Sequence, residues 1–107
     1  MKHIKVIIPA YNEQDSIGLV VRAIPNIVNE IIVVNNNSTD NTAQVAKDSG
    51  ATVLFEKRGG YGYACLKGID YLRQKKISPD VVVFLDGDFS DFPEEIIHLI
   101  AQFKKKI

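Results

Sequence analysis

The run Val81-Val82-Val83-Phe84-Leu85 constrains this chain more than any other stretch. Its apolar residues follow one another with no polar break, and all but Leu85 are β-branched or aromatic. A strand with one wet face would alternate. An unbroken run reads as a strand buried on both faces, the pattern of a parallel sheet. The run stops on Asp86-Gly87-Asp88. Ligands of open α/β sheets bind outside the carboxyl ends of the strands. Two acids therefore stand where a ligand is expected. Side chains at i and i+2 of extended chain point the same way. Gly87 lets the backbone turn and leaves room for an approaching group. Two close carboxylates repel, and a hard divalent cation with oxygen ligands relieves that repulsion. Mg²⁺ and Mn²⁺ take few protein ligands and complete their shells with phosphate and water. A metal–diphosphate clamp on Asp86 and Asp88 is the functional reading; a solvated acidic turn is the plain one.

The same grammar recurs along the chain. Ile4-Lys5-Val6-Ile7-Ile8 reads as a first strand ended by Pro9. After a loop over Pro9–Glu13, Asp15 or Ser16 caps a helix to about Ile24, with Ile17, Val20, Val21 and Ile24 on one face. Glu30–Val34 is a second strand. The loop Asn35-Asn36-Asn37-Ser38-Thr39-Asp40-Asn41 is rich in turn residues, and Asp40 or Asn41 caps a second helix that Gly50 stops. Ala51–Phe55 is a third strand. The glycine-rich segment from Lys57 opens a third helix to about Lys75. Val81–Leu85 is the fourth strand, and Pro93 starts a last helix carrying Ile96, Ile97, Leu99, Ile100 and Phe103. Strands alternating with helices predict an α/β fold: a Rossmann-like parallel sheet with helices on both faces, built from four β-α units. Right-handed crossovers place the loops near 9–13, 35–40, 58–62 and 86–91 at one edge of that sheet.

Composition narrows the classes. Thirteen basic and thirteen acidic residues balance, so the electrostatic footprint of a nucleic-acid binder is missing and no nucleic-acid partner is expected. Lys104-Lys105-Lys106 reads as a solvated helix end. A single cysteine, Cys65, excludes an internal disulfide and fits a reducing compartment. The apolar stretch up to Ala10 is too short for a secretory leader, and no run approaches a membrane span. His3 and His98 lack metal-ligand spacing. A cytoplasmic protein is expected.

Three pieces in order resemble family 2 glycosyltransferases, inverting enzymes of GT-A fold that use nucleotide-diphosphate sugars. They are Ile7-Ile8-Pro9-Ala10-Tyr11-Asn12-Glu13, then Ile32-Val33-Val34-Asn35-Asn36-Asn37-Ser38-Thr39-Asp40-Asn41-Thr42, then Leu85-Asp86-Gly87-Asp88. The flavour is that of the polyprenyl-phosphate sugar transferases. The resemblance spans residues 1–107 but only the nucleotide-sugar-binding half of such an enzyme, which suggests truncation. It implies donor contacts at Pro9, Ala10, Tyr11, Glu13, Val34, Asn36, Arg58, Asp86 and Gly87. It implies Mg²⁺ or Mn²⁺ on Asp88, the residue expected to serve catalysis, with Asp86 supporting the metal or ribose. It also implies a lipid-phosphate or saccharide acceptor, and through the lipid an association with the cytoplasmic membrane face.

The residue chemistry is compatible. Tyr11 offers a flat face for a base, or plain packing. Glu13 can accept from ribose hydroxyls, or merely favour a helix start. Arg58 with Gly59, Gly60 and Gly62 offers a cation and open amides to phosphate, or a simple turn into a helix. Ser38 and Asp40 fix the loop. The family usually has two aspartates and a glycine where Asn35, Asn36 and Asn37 stand. An amide at Asn35 or Asn36 can match the uracil edge with one acceptor and one donor group, so a UDP-sugar is favoured over a GDP-sugar, with thymidine left open because its pairing edge is the same, unless these residues only shape the turn. Rival readings are a nucleotide-sugar-binding fragment without transferase activity, and a nucleotidyltransferase. The latter's glycine-rich loop after the first strand is replaced by Pro9-Ala10-Tyr11. A truncated sheet would leave the strand at Val81–Leu85 as an apolar edge, so self-association or a missing C-terminal segment is expected.

Overall fold

The computed structural model describes residues 3–76 and 79–88. The elements run β1 (Ile4–Ala10), α1 (Ile17–Ala23), β2 (Glu30–Asn35), α2 (Thr42–Asp48), β3 (Thr52–Phe55), α3 (Tyr61–Arg73) and β4 (Val81–Phe84). The strands form one sheet in the order β3-β2-β1-β4, and every pairing is parallel. The α/β architecture expected from the alternation is thus present. The expected helix after Pro93 lies outside the described residues.

Strand parity divides the core into two layers. Ile4, Val6, Ile8 and Ala10 of β1 pack with Ile17, Val20, Val21 and Ala46 of α1 and α2. Ile7 points the other way and joins Ile32, Val34, Ala64 and Leu72, on the α3 side. Ile4, Ile7, Ile8, Ile17 and Ile32 are almost wholly buried, and each such side chain contributes about 1.5–3 kcal/mol relative to exposure. The α3 side is closely packed. A Cβ placed on Gly68 would meet Ile7 Cγ2 at 2.8 Å. Helix and central strand approach this closely because position 68 has no side chain.

Pro9 does not end the first strand, which continues through Ala10. Ile7 and Ala10 explain why. The Ile7 carbonyl accepts from Leu85 N–H at 3.1 Å, on the β4 side, whereas the Ala10 carbonyl accepts from Asn36 N–H at 2.8 Å, on the β2 side. Backbone polar groups alternate sides along a strand, so the Pro9 nitrogen faces β4. The β1–β4 register stops at Ile7 opposite Phe84. The donor that proline lacks therefore has no partner to miss.

The expectation that Val81–Leu85 is buried on both faces is corrected. Val81, Val82 and Val83 are half-buried, and Phe84 is 39% exposed. Among the described residues β4 is an edge strand with one neighbour. Only Leu85, beyond the strand, is buried. An unbroken apolar run signals two apolar faces, but position in the sheet decides how far they are covered.

The amino ends of the strands are tied by Glu30. Its carboxylate accepts from Tyr71 Oη at 2.6 Å, Thr52 Oγ1 at 2.9 Å and Lys5 Nζ at 3.2 Å. Burial alone would raise this carboxyl, but the hydrogen bonds outweigh it and hold it below the usual range. The carboxyl ends are left to the loops.

Candidate nucleotide-diphosphate site

At the carboxyl ends of the strands the loops enclose a cleft of about 650 Å³. Its lining draws on all four strand ends: Pro9 and Ala10 of β1 with Tyr11 and Glu13 after it, Asn36 and Asn37 after β2, Gly59 and Gly60 between β3 and α3 with Tyr61 and Ala64 of α3, and Asp86, Gly87 and Asp88 after β4. The convergence expected from right-handed crossovers is realised for these residues.

The first two loops are zipped together. Asn12 N–H donates to Ser38 Oγ at 2.9 Å, and Asn12 Oδ1 accepts from Thr39 N–H at 2.8 Å. Asn12 holds a positive φ of 51°, a conformation that asparagine tolerates better than most residues. Glu13 N–H donates to Thr42 Oγ1 at 2.8 Å. Thr42 is fully buried, and its hydroxyl donates in turn to Asp40 Oδ1, which also accepts Thr42 N–H at 3.0 Å. Asp40 thus satisfies an amide at the start of α2, while Asn41 stands at the N-cap position with no side-chain capping bond. Thr42 is a residue the sequence reading missed; a threonine beside a cap carries no signal that it will hold another loop.

The acidic loop is tied to α1 by Ser16. Its hydroxyl donates to the Gly87 carbonyl at 2.7 Å rather than capping its own helix. Gly87 is buried, while Asp86 and Asp88 are exposed to the cleft's solvent. Glu13 faces the same acids. Partial burial raises the Glu13 carboxyl above its ordinary value, the Ser16 hydroxyl opposes this, and the negative charges of Asp88, Asp40 and Asp86 add to it. Mutual repulsion of this kind is what a cation relieves. Among the described residues no group of three or more His, Cys, Asp or Glu side chains could hold a metal by itself. Asp86 and Asp88 fit instead a hard cation that shares its shell with phosphate and water.

Tyr11, 57% exposed, and Tyr61, 55% exposed, both line the cleft. Tyr61 opens α3 and was not singled out from the sequence.

Of the residues expected to contact the donor, Val34 and Arg58 lie off the cleft lining, and Asn36 lies on it with its amide already engaged. Val34 is fully buried in the α3-side core and does not line the cleft. Arg58 does not line it either: its Nη2 and Nε donate to Glu56 at 2.9 and 3.0 Å, and its guanidinium lies 4.2 Å from the Tyr63 ring centre. A phosphate would have to compete with Glu56 for that cation. Asn36 lines the cleft, but its amide is bonded within the chain. Its Nδ2 donates to the carbonyls of Glu56 and Arg58, and its Oδ1 accepts from Gly60 N–H. Asn35 Oδ1 accepts from Ser38 N–H at 3.1 Å. The asparagines therefore build loops here, which removes the amide-to-uracil match as a ground for uridine.

The Glu56–Arg58 pair carries a pH prediction. Hydrogen bonds from the Arg58 side chain and backbone N–H hold the Glu56 carboxyl down at about 2, from an ordinary 4.5. A depressed carboxylate contributes fully above the unfolded value, and the contribution is lost as pH falls through the folded one. Loop order from this pair should thus be complete above about pH 4.5 and disappear toward pH 2. NMR titration of the Glu56 carboxyl carbon should give a midpoint near the lower value. A midpoint at the ordinary glutamate value would mean that the pair does not form in solution.

The family model described as "Glycosyl transferase family 2" matches residues 5–106. An uncharacterized glycosyltransferase of Mycobacterium bovis is 36% identical over 102 residues, covering 95% of this chain and 44% of the relative. The undecaprenyl-phosphate 4-deoxy-4-formamido-L-arabinose transferase of Pseudomonas fluorescens is 32% identical over 112 residues, covering 92% of this chain and 31% of the relative. Among solved structures, glucosyl-3-phosphoglycerate synthase of Mycobacterium tuberculosis, in complex with Mn²⁺, UDP and glucosyl-3-phosphoglycerate, superposes with a TM-score of 0.80 at 30% identity. That match covers 95% of this chain and 39% of the synthase. The chain therefore spans less than half the length of these relatives.

Proposed function

Since this chain belongs to glycosyl transferase family 2, we propose that its cleft binds the nucleotide diphosphate of a sugar donor, with UDP as the nucleotide, within a protein that transfers the sugar. The observation that carries this reading is the meeting of Asp86, Asp88, Tyr11 and the Gly59–Gly60 backbone around one cleft of about 650 Å³. Tyr11 offers its ring to the base, and Glu13 offers a carboxylate to ribose hydroxyls. Asp88, with Asp86, would hold Mg²⁺ or Mn²⁺ against the two phosphates. Such a cation supplies charge neutralisation of the departing diphosphate. Uridine is supported by the synthase structure that contains UDP with Mn²⁺, and another with Mg²⁺.

The reaction would be an inverting transfer. An acceptor oxygen attacks the anomeric carbon opposite the diphosphate. The new C–O bond forms as the bond to the diphosphate oxygen breaks, and that oxygen keeps the electron pair. A lipid-phosphate acceptor is already an anion and yields no proton; a saccharide hydroxyl must lose one to a base. The undecaprenyl-phosphate transferase among the relatives favours the lipid phosphate, and with it a place at the cytoplasmic membrane face. No helix among the described residues is long and apolar enough to cross a membrane.

Calorimetry of UDP with Mn²⁺ and with chelator tests the site. Binding is expected with metal and lost in chelator; equal affinity in both would sink the clamp. Product from a labelled UDP-sugar separates a transferase from a domain that binds the donor and transfers nothing.

A further inference from the structure

Every N–H of the Asn36 carboxamide is used inside the chain. Nδ2 donates to the Glu56 carbonyl at 3.0 Å and to the Arg58 carbonyl at 2.7 Å, and Oδ1 accepts from Gly60 N–H at 3.0 Å. Asn36 is 8% exposed, so water is a poor substitute for these partners. The bonds fall on a segment otherwise held by Ala64 N–H on the Gly60 carbonyl and by the Arg58 guanidinium over the Tyr63 ring. Residues 56–60 lie between β3 and α3, outside both elements. Gly60 holds a φ of +114°, a conformation that side chains other than glycine rarely adopt. Glu56 N–H adds one backbone bond to Asn35, and the Glu56 carboxylate folds back on Arg58. Gly59, Gly60 and Tyr61 form one wall of the cleft. The Asn36 side chain, just past the end of β2, thus ties the approach to that wall at three points, two carbonyls and one N–H.

We propose that Asn36 is a positioning residue that latches the 56–60 loop as a wall of the cleft and does not itself read the base. The inference rests on the nucleotide-binding reading above for its second half only. An amide is needed because it alone brings two N–H donors and an acceptor on one short stem. An aspartate would keep the acceptor for Gly60, lose both donors, and set a buried carboxylate against two carbonyl oxygens. The loop that Asn36 must hold presents two carbonyls and one N–H.

Asn36→Ala and Asn36→Asp test the latch in the whole chain, with circular dichroism confirming that each variant is folded. Amide hydrogen exchange is read first, without nucleotide. Both variants should speed exchange over residues 58–60 by about tenfold or more, the scale of losing two net hydrogen bonds, while amides of β1 and β2 stay protected. Unchanged exchange in that loop overturns the proposal. If a variant is unfolded, Asn36→Ser, which leaves a smaller polar group, takes its place in the same reading. Affinities for UDP, GDP and dTDP with Mn²⁺ are read second. A latch weakens all three by a similar factor. A change confined to one base overturns the proposal in favour of direct base reading. Absence of all binding by the unmodified chain would defeat the nucleotide reading, and the exchange result alone would then decide whether Asn36 holds the loop.

Discussion

Asp88→Asn should weaken metal-dependent UDP binding by at least about 100-fold, since loss of even an outer partner of a metal ligand typically costs about 10–100-fold. The amide keeps the size of the side chain but removes the charge that faces the cleft. Folding should be almost untouched. Asp88 is exposed after the end of β4, and surface substitutions usually stay within about 0.5 kcal/mol. That corresponds to a melting shift of less than about 4 °C in a domain of this size. Calorimetry with UDP and Mn²⁺, beside a thermal melt, separates the two effects. An Asp88→Asn protein that still binds UDP only with metal, at unchanged affinity, would remove Asp88 from the metal. A large loss of melting temperature would make the residue structural instead.

The second large effect is on stability. Gly68→Val should destabilise the domain by about 3 kcal/mol, the upper part of the range for forcing extra methyl groups into a packed core. Even a bare Cβ at this position would stand 2.8 Å from Ile7 Cγ2 and 3.0 Å from Ile7 Cδ1. Ile7 cannot give way easily: it is fully buried on the central strand, paired on both sides. Better helix propensity returns only a few tenths of a kcal/mol for valine over glycine. The melting temperature should fall by about 12–24 °C, at about 4–8 °C per kcal/mol. Ile7→Ala introduced together with Gly68→Val should recover part of the loss, because the two sites share one contact. Strict additivity of the two changes would mean that the helix does not press on the strand here. At Gly62, by contrast, a Cβ would have no atom within 4 Å, and substitution there meets open space.

Both effects were unevenly legible beforehand. The acid pair could be read directly, because Asp86 and Asp88 follow an apolar run and strands end where ligands bind. Gly68 could not, because a glycine in a helical pattern signals nothing about which strand lies against it. Thr42 and Ser16 were opaque for a related reason. Each uses a hydroxyl on a different loop, Thr42 on Glu13 and Ser16 on Gly87, the latter 71 residues away in sequence. The partner of Arg58 was equally hidden: Glu56, two residues earlier, takes the guanidinium on both oxygens.

What the amino-acid sequence determined alone is the local grammar: β-branched runs for β1 to β4, helical periodicity between them, and turn residues that place polar loops after each strand. These are properties of near neighbours, set by backbone sterics and side-chain period, so they survive without knowledge of the partner. Right-handed crossover then brought those loops to one edge with little freedom left. The tertiary structure alone decided which polar groups meet there. It set the order β3-β2-β1-β4, which leaves β4 at an edge among the described residues and Phe84 partly exposed. It carried β1 past Pro9, because the nitrogen of that residue faces a strand that has already stopped pairing. It turned Asn36 from an amide available to a base into one bonded to residues 20 to 24 positions away. A polar side chain takes the partner nearest in space, and buried ones are costly to leave unpaired. That choice depends on distances that only the folded chain defines.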